Sequence, residues 1–141
     1  MSTDSCTPAG IGKALDTIVD KKNKETILEL FLLGILAGVY IGFGAVAATT
    51  VKGHAGSASP AVINLLAASV FCVGLILVLI PGSELFTGNI LMSSAVVSRK
   101  LPAHRVLRNW VFVYLGNFVG AFLLAVAINE SGLFHAVDGL S

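Results

Sequence analysis

The chain has 141 residues, of which 55% are hydrophobic and only 12% charged, with a formal net charge of +1 and a mean hydropathy of +0.89. Soluble domains carry about a quarter charged residues, so this composition excludes an ordinary soluble domain and marks a membrane protein, with no basic surface for nucleic acid. At roughly 20 residues per bilayer crossing, the length holds only a few spans.

Residues 1–26 are largely polar. A cleavable signal peptide needs its apolar core near the start, so the first apolar run reads as an uncleaved anchor. Within the polar segment Ile11, Leu15, Ile18 and Val19 recur at helical spacing among Lys13, Asp16, Asp20, Lys21 and Lys22, after a Thr7-Pro8 start. That pattern predicts a short amphipathic helix on the membrane surface, or else a solvated tail.

The first span is predicted over 27–51, its charge-free part running from Leu30 to Val51. Gly34, Gly38 and Gly42 repeat every four residues along it, which lines small residues on one face and lets a neighbouring backbone come close. Lys52, Gly53, His54 and the Gly/Ser/Pro cluster to Pro60 form a loop. A last span is predicted over 109–129, with Trp110 and Tyr114 as interfacial anchors and a small-residue face at Gly116, Gly120, Ala121 and Ala125. Eight of the nine basic residues precede the first span or lie between 99 and 108, while Lys52 alone follows the first span. By the positive-inside rule the N-terminus and the 99–108 loop are cytoplasmic, and an odd number of crossings separates Lys52 from Arg99.

Residues 60–98 would measure about 60 Å as one helix, about twice the hydrocarbon thickness. Two crossings violate the charge bias and three leave too few residues for each. One crossing with a break remains: a helix from Pro60 to about Ile80, an irregular loop through PGSELFTGN at 81–89, and a shorter helix from about Ile90 to Ser98. Irregular backbone at membrane depth is tolerated only where protein buries it or a cavity adjoins it. Pro81 and Gly82 end the entering helix, Ser83 and Glu84 are expected to cap loop amides, and Gly88 and Asn89 to supply a turn before the second half-helix.

Glu84 has two readings. It is a proton carrier or cation site, or a loop-shaping group that accepts hydrogen bonds from nearby loop amides; the closeness of those amides favours the second. Thr87 offers a hydroxyl to a passing anion, beside the free N–H groups expected at the start of the second half-helix. Phe71, Leu75, Leu85 and Phe86 flank the break, either as narrow dry constrictions or as ordinary packing. Cys6 and Cys72 differ too much in setting to suggest a disulfide or metal site. Neither a cofactor nor a metal is expected. No histidine or carboxylate cluster at ligand spacing lies in the spans, which argues against an enzyme.

GSELFTGN at 82–89, the apolar run with Phe71 and Leu75, the RKLP and RNW stretch at 99–110, and YLGNFVGA at 114–121 resemble the formate/nitrite transporter family. The resemblance implies half of an aquaporin-like inverted-repeat fold: an all-α membrane protein whose three transmembrane segments include a broken second one. The Asn-Pro-Ala turns usual in aquaporins do not occur here. It also implies a channel for small monovalent anions of weak acids such as formate, nitrite, lactate or hydrosulfide, linked to protons, with pentameric assembly of the full-length protein. Carried over by residue, Phe71 belongs to an outer constriction, Leu75 and Leu85 to an inner one, and Thr87 to the polar centre, while Glu84 and Asn89 shape the loop. The family pairs the loop threonine with a histidine on a fifth span, and His54, His104 and His135 lie outside the predicted spans. The chain is therefore expected to be a first half. A membrane subunit that only packs against a partner is the alternative.

Overall fold

In the computed structural model, which describes residues 7–133, Thr7 and Pro8 open the first helix, α1 (Pro8–Lys24). The Thr7 hydroxyl accepts from the Gly10 N–H at 3.1 Å, and Lys21, Lys22 and Lys24 fill the last turn, where the helix dipole favours cations. Glu25 and Thr26 are extended and break the helix. Thr26 and Glu29 then form a capping box that starts α2 (Ile27–Gly53): the Glu29 N–H reaches the Thr26 hydroxyl at 3.3 Å, and Glu29 Oε2 accepts from the Thr26 N–H at 2.7 Å. Glu29 is thereby committed to the helix end. The expectations for Cys6 and His135 lie outside the described residues.

α3 (Pro60–Leu79) starts at a Ser59 cap, and α6 (Ala103–Glu130) follows Pro102. Between them come α4 (Phe86–Asn89), a 3₁₀ turn (Ile90–Met92) and α5 (Ser93–Val97). α2, α3 and α6 are each long and apolar enough to cross a membrane, and no strand occurs among the described residues. α6 starts several residues before the predicted span, so Arg105 and Arg108 stand on its first turns rather than in a loop.

α2 is the middle helix and packs against both α6 and α3. Lipid removes the hydrophobic drive between helices, so association depends on close van der Waals fit. The predicted seam supplies it: a Cβ at Gly38 would overlap the Asn117 carbonyl, one at Gly120 the Ile35 carbonyl, and one at Gly116 would lie 2.6 Å from the Phe31 carbonyl oxygen. Gly42 meets only the flexible Leu124 side chain. A second close approach, which spacing does not predict, joins α2 to α3. There Cβ atoms at Gly44 and Gly74 would lie 2.8 Å from the carbonyl oxygens of Phe71 and Tyr40 respectively.

α1 has a protein contact. Val19 is buried with Met92, Ala95 and Val106, flanked by Leu101 and Trp110, while Ile11 and Ile18 stay exposed. The helix therefore docks Val19 onto the half-helix region, keeps Leu15 half-buried and leaves Ile11 and Ile18 outward. An ion pair from Lys100 to Asp16 adds a surface contact, a kind usually worth ~1 kcal/mol or less.

Candidate functional site

The chain leaves α3 through a glycine turn. The Ile80 N–H still bonds the Ile76 carbonyl at 3.0 Å, Gly82 takes a left-handed φ of 71°, and the Ser83 N–H closes on Val78 at 3.0 Å. This six-to-one closure satisfies an end carbonyl and needs a residue that tolerates positive φ. Pro81 and Gly82 thus end the helix as the sequence suggests. The Glu84 N–H then bonds the Leu33 carbonyl of α2 at 3.3 Å, tying the loop to the first span.

The second half-helix begins at Phe86, not Ile90. Gly88 and Asn89 lie inside its first turn, with both N–H groups on the Leu85 carbonyl at 3.0 and 3.1 Å, so they do not form the turn expected before it. Leu85, at the cap position, has no side-chain oxygen to offer. Asn117 of α6 replaces it: its Oδ1 accepts from the Phe86 N–H at 3.0 Å, while its Nδ2 donates to the carbonyls of Gly34 and Glu84, each at 2.9 Å. One carboxamide joins the loop, α2 and α6. The YLGN stretch contributes to the family resemblance without giving Asn117 a role, although an asparagine inside an apolar span is itself a signal for a buried partner.

Glu84 is 3% exposed and Asn89 and Asn109 are essentially sealed. The expected donors to Glu84 are loop amides, but its partners are side chains. Lys22 Nζ, from α1, pairs with Glu84 Oε2 and donates to Asn89 Oδ1 at 2.6 Å. Asn89 Nδ2 donates to Glu84 Oε2 at 2.7 Å and to Asn109 Oδ1 at 2.8 Å. A buried carboxylate demands such a charge partner. The basic partner stands 62 residues away in sequence, beyond the reach of local reading. Ser83, expected to cap an amide, is buried with its hydroxyl unpartnered.

Trp110, expected as an interfacial anchor, donates its Nε1–H to the Asn89 carbonyl at 2.8 Å. Phe86 stands edge-on to Trp110 and Tyr114, with ring centroids 6.1 and 5.6 Å apart, and so turns toward α6. Leu85 is half-buried, whereas Thr87 and Gly88 are exposed. On α3, Phe71 and Leu75 are exposed on the membrane-spanning part. Of the loop-shaping residues only Glu84 and Asn89 enter the network with Lys22 and Asn109, while Pro81, Gly82 and Gly88 are exposed, and Phe71, Leu75 and Thr87 face outward from the packed unit.

Glu25 borders this network. Its carboxyl is held above the usual range, first by burial and then by the negative charge of Glu84, with Glu29 adding to the rise and Lys22 and Lys21 opposing it. A raised folded-state value means that stability falls as pH climbs from about 4.5, the carboxylate's ordinary value, through the raised one. Glu25→Gln is expected to flatten that slope. Thermal unfolding in detergent between about pH 4 and 8 would check it; parallel wild-type and variant profiles would refute it.

The fold and this network define an integral, multi-pass helical membrane protein with a broken span stitched to its neighbours by buried polar side chains. The family model described as formate/nitrite transporter matches residues 10–140, and the chain belongs to that family, whose members here are channels and transporters rather than enzymes. It is 38% identical over 128 residues to a probable formate transporter of Methanothermobacter thermautotrophicus, covering 89% of this chain and 47% of that protein. It is 39% identical over 126 residues to the formate channel FocA of Haemophilus influenzae, covering 89% and 44%. Against FocA of Escherichia coli it is 31% identical over 136 residues, covering 96% and 48%. The chain spans slightly less than half the length of each of these relatives. No solved structure matches it.

Proposed function

We propose that the chain supplies the first half of a channel for small monovalent anions of weak acids, formate, nitrite, lactate or hydrosulfide, with linked protons. The observation that carries this reading is the broken span. Its loop is held by Lys22, Asn89, Asn109 and Asn117, while the adjoining Thr87 is exposed. A chain needing only to pack has no use for such an arrangement, because a continuous apolar helix would satisfy its own backbone at lower cost. Relatives named as formate channels support the substrate class.

In this reading Phe71, Leu75 and Leu85 form apolar constrictions where a small anion loses its water, and Thr87 offers a hydroxyl between them. Phe86 braces the loop through its ring contacts with Trp110 and Tyr114. Protonation makes the neutral acid the species that crosses an apolar slit most easily. Residues 1–26 form a cytoplasmic segment and 27–141 a three-span membrane domain, in an assembly that is pentameric when the full-length protein is complete.

Formate uptake into proteoliposomes, by the chain alone and with a second-half partner, tests the proposal. Thr87→Ala is expected to lower uptake by roughly tenfold, the scale of one lost hydrogen bond to a charged group. Leu85→Ala is expected to raise uptake of larger monocarboxylates relative to formate, with unchanged amounts of inserted protein. If neither substitution alters uptake in the conducting assembly, the chain is a packing subunit.

A further inference from the structure

At the opposite end of α2 from the Lys22 network, a cleft of about 420 Å³ opens between α2 and α3. Lys52 and Asn64 stand at it, and Phe71 and Cys72 line it from about two turns further along α3. The volume exists because the remaining wall residues, Ala48, Ala67 and Ala68, are small. Asn64, Ala67, Ala68, Phe71 and Cys72 follow the i, i+3, i+4, i+7, i+8 pattern of one helix face. Among the described residues no carboxylate lines the cleft, and the Lys52 ammonium is in neither ion pair.

We infer that this cleft is an anion-receiving site, in which the Lys52 ammonium and the Asn64 carboxamide hold a small monovalent carboxylate beside the Phe71 ring. Lys52 is the one basic lysine or arginine between the first and second spans. The inference rests on the pathway reading of Phe71 and extends it to the step before dehydration. A single exposed ammonium binds weakly: a unit charge about 4 Å from an anion in water enriches it roughly fivefold. Such a site raises local substrate concentration and does not trap it. Asn64 adds two N–H donors, which favour an oxyanion over a bare charge.

Cys72 lies in the same cleft and is exposed, so it reports on the local field without requiring transport. In a Cys6→Ser background, the labelling rates of Cys72 by an anionic and a cationic methanethiosulfonate of similar size are compared in neutral detergent. Lys52 should favour the anionic reagent. A unit charge roughly 10 Å away in water changes each rate by about twofold, in opposite senses, so Lys52→Gln should lower the anionic-to-cationic ratio by about fourfold. Lys52→Arg should retain the ratio, and added salt should erase the difference. An unchanged ratio in Lys52→Gln would overturn the inference, and so would failure of both reagents to label Cys72, since the cleft would then be closed. The pathway reading fails on different grounds, through formate uptake indifferent to Leu85 and Thr87.

Discussion

Gly120→Leu is expected to destroy the packed three-helix unit. The glycine Cα lies against α2 so closely that a Cβ would overlap the Ile35 carbonyl, a backbone group that cannot rotate aside. Relief requires the two helices to separate, which forfeits the contacts around Gly34, Gly38 and Gly116 together. Overpacking a fitted interface costs about 1–3 kcal/mol where side chains can adjust, so this backbone clash should reach at least about 3 kcal/mol. Gly12→Ala provides the control, since a Cβ at this position on α1 would meet nothing within 4 Å and alanine favours a helix by roughly 0.5–1 kcal/mol. Unfolding in mixed micelles followed by circular dichroism compares them. Equal stability of the two variants would show that α2 and α6 do not meet through this seam.

Lys22→Met is expected to loosen the broken span by about 3–5 kcal/mol, because it strands the Glu84 carboxylate, 3% exposed, without its cation. The double variant Lys22→Met/Glu84→Gln should recover most of that loss. A neutral carboxamide removes the buried charge and still offers an oxygen to Asn89 Nδ2, which lies 2.7 Å from Glu84 Oε2. Asp16→Ala, which breaks the exposed pair with Lys100, should change stability by ~1 kcal/mol or less. Limited proteolysis near residues 81–85, together with denaturant titration, reads all three. If Lys22→Met were as mild as Asp16→Ala, the buried network would not be holding the loop.

Much of the architecture is legible locally. The apolar runs mark the spans, because crossing hydrocarbon requires about 20 apolar residues whatever the partner. The length of the 60–98 segment forces a break, and Pro81 and Gly82 mark where α3 stops. The seam at Gly34, Gly38, Gly116 and Gly120 is readable from spacing, since small residues every four positions share a helix face. Gly44 and Gly74 are not legible as a pair. Their meeting joins two different helices, and nothing in one helix reveals which small residue opposes it.

The start of the second half-helix escapes local reading for a related reason. Leu85 is a poor cap by local chemistry, and the oxygen that serves the Phe86 N–H arrives from Asn117, 31 residues later. The donors expected to be free at that helix start are largely taken: Asn117 accepts from Phe86, and the Leu85 carbonyl from Gly88 and Asn89.

The sequence by itself determined that the protein is helical, lies in a membrane, crosses with a broken second segment and carries the family's loop signature. The first three follow from composition, length and short-range spacing, and the last from the resemblance of GSELFTGN at 82–89 to the family's motif. Only the tertiary structure decided that Lys22 of α1 neutralises Glu84, that Asn89 and Asn109 complete the buried network, and that Asn117 caps the half-helix. A buried charge or an uncapped helix end requires a partner, yet neither requirement says where along the chain that partner lies. Folding alone brings it within reach.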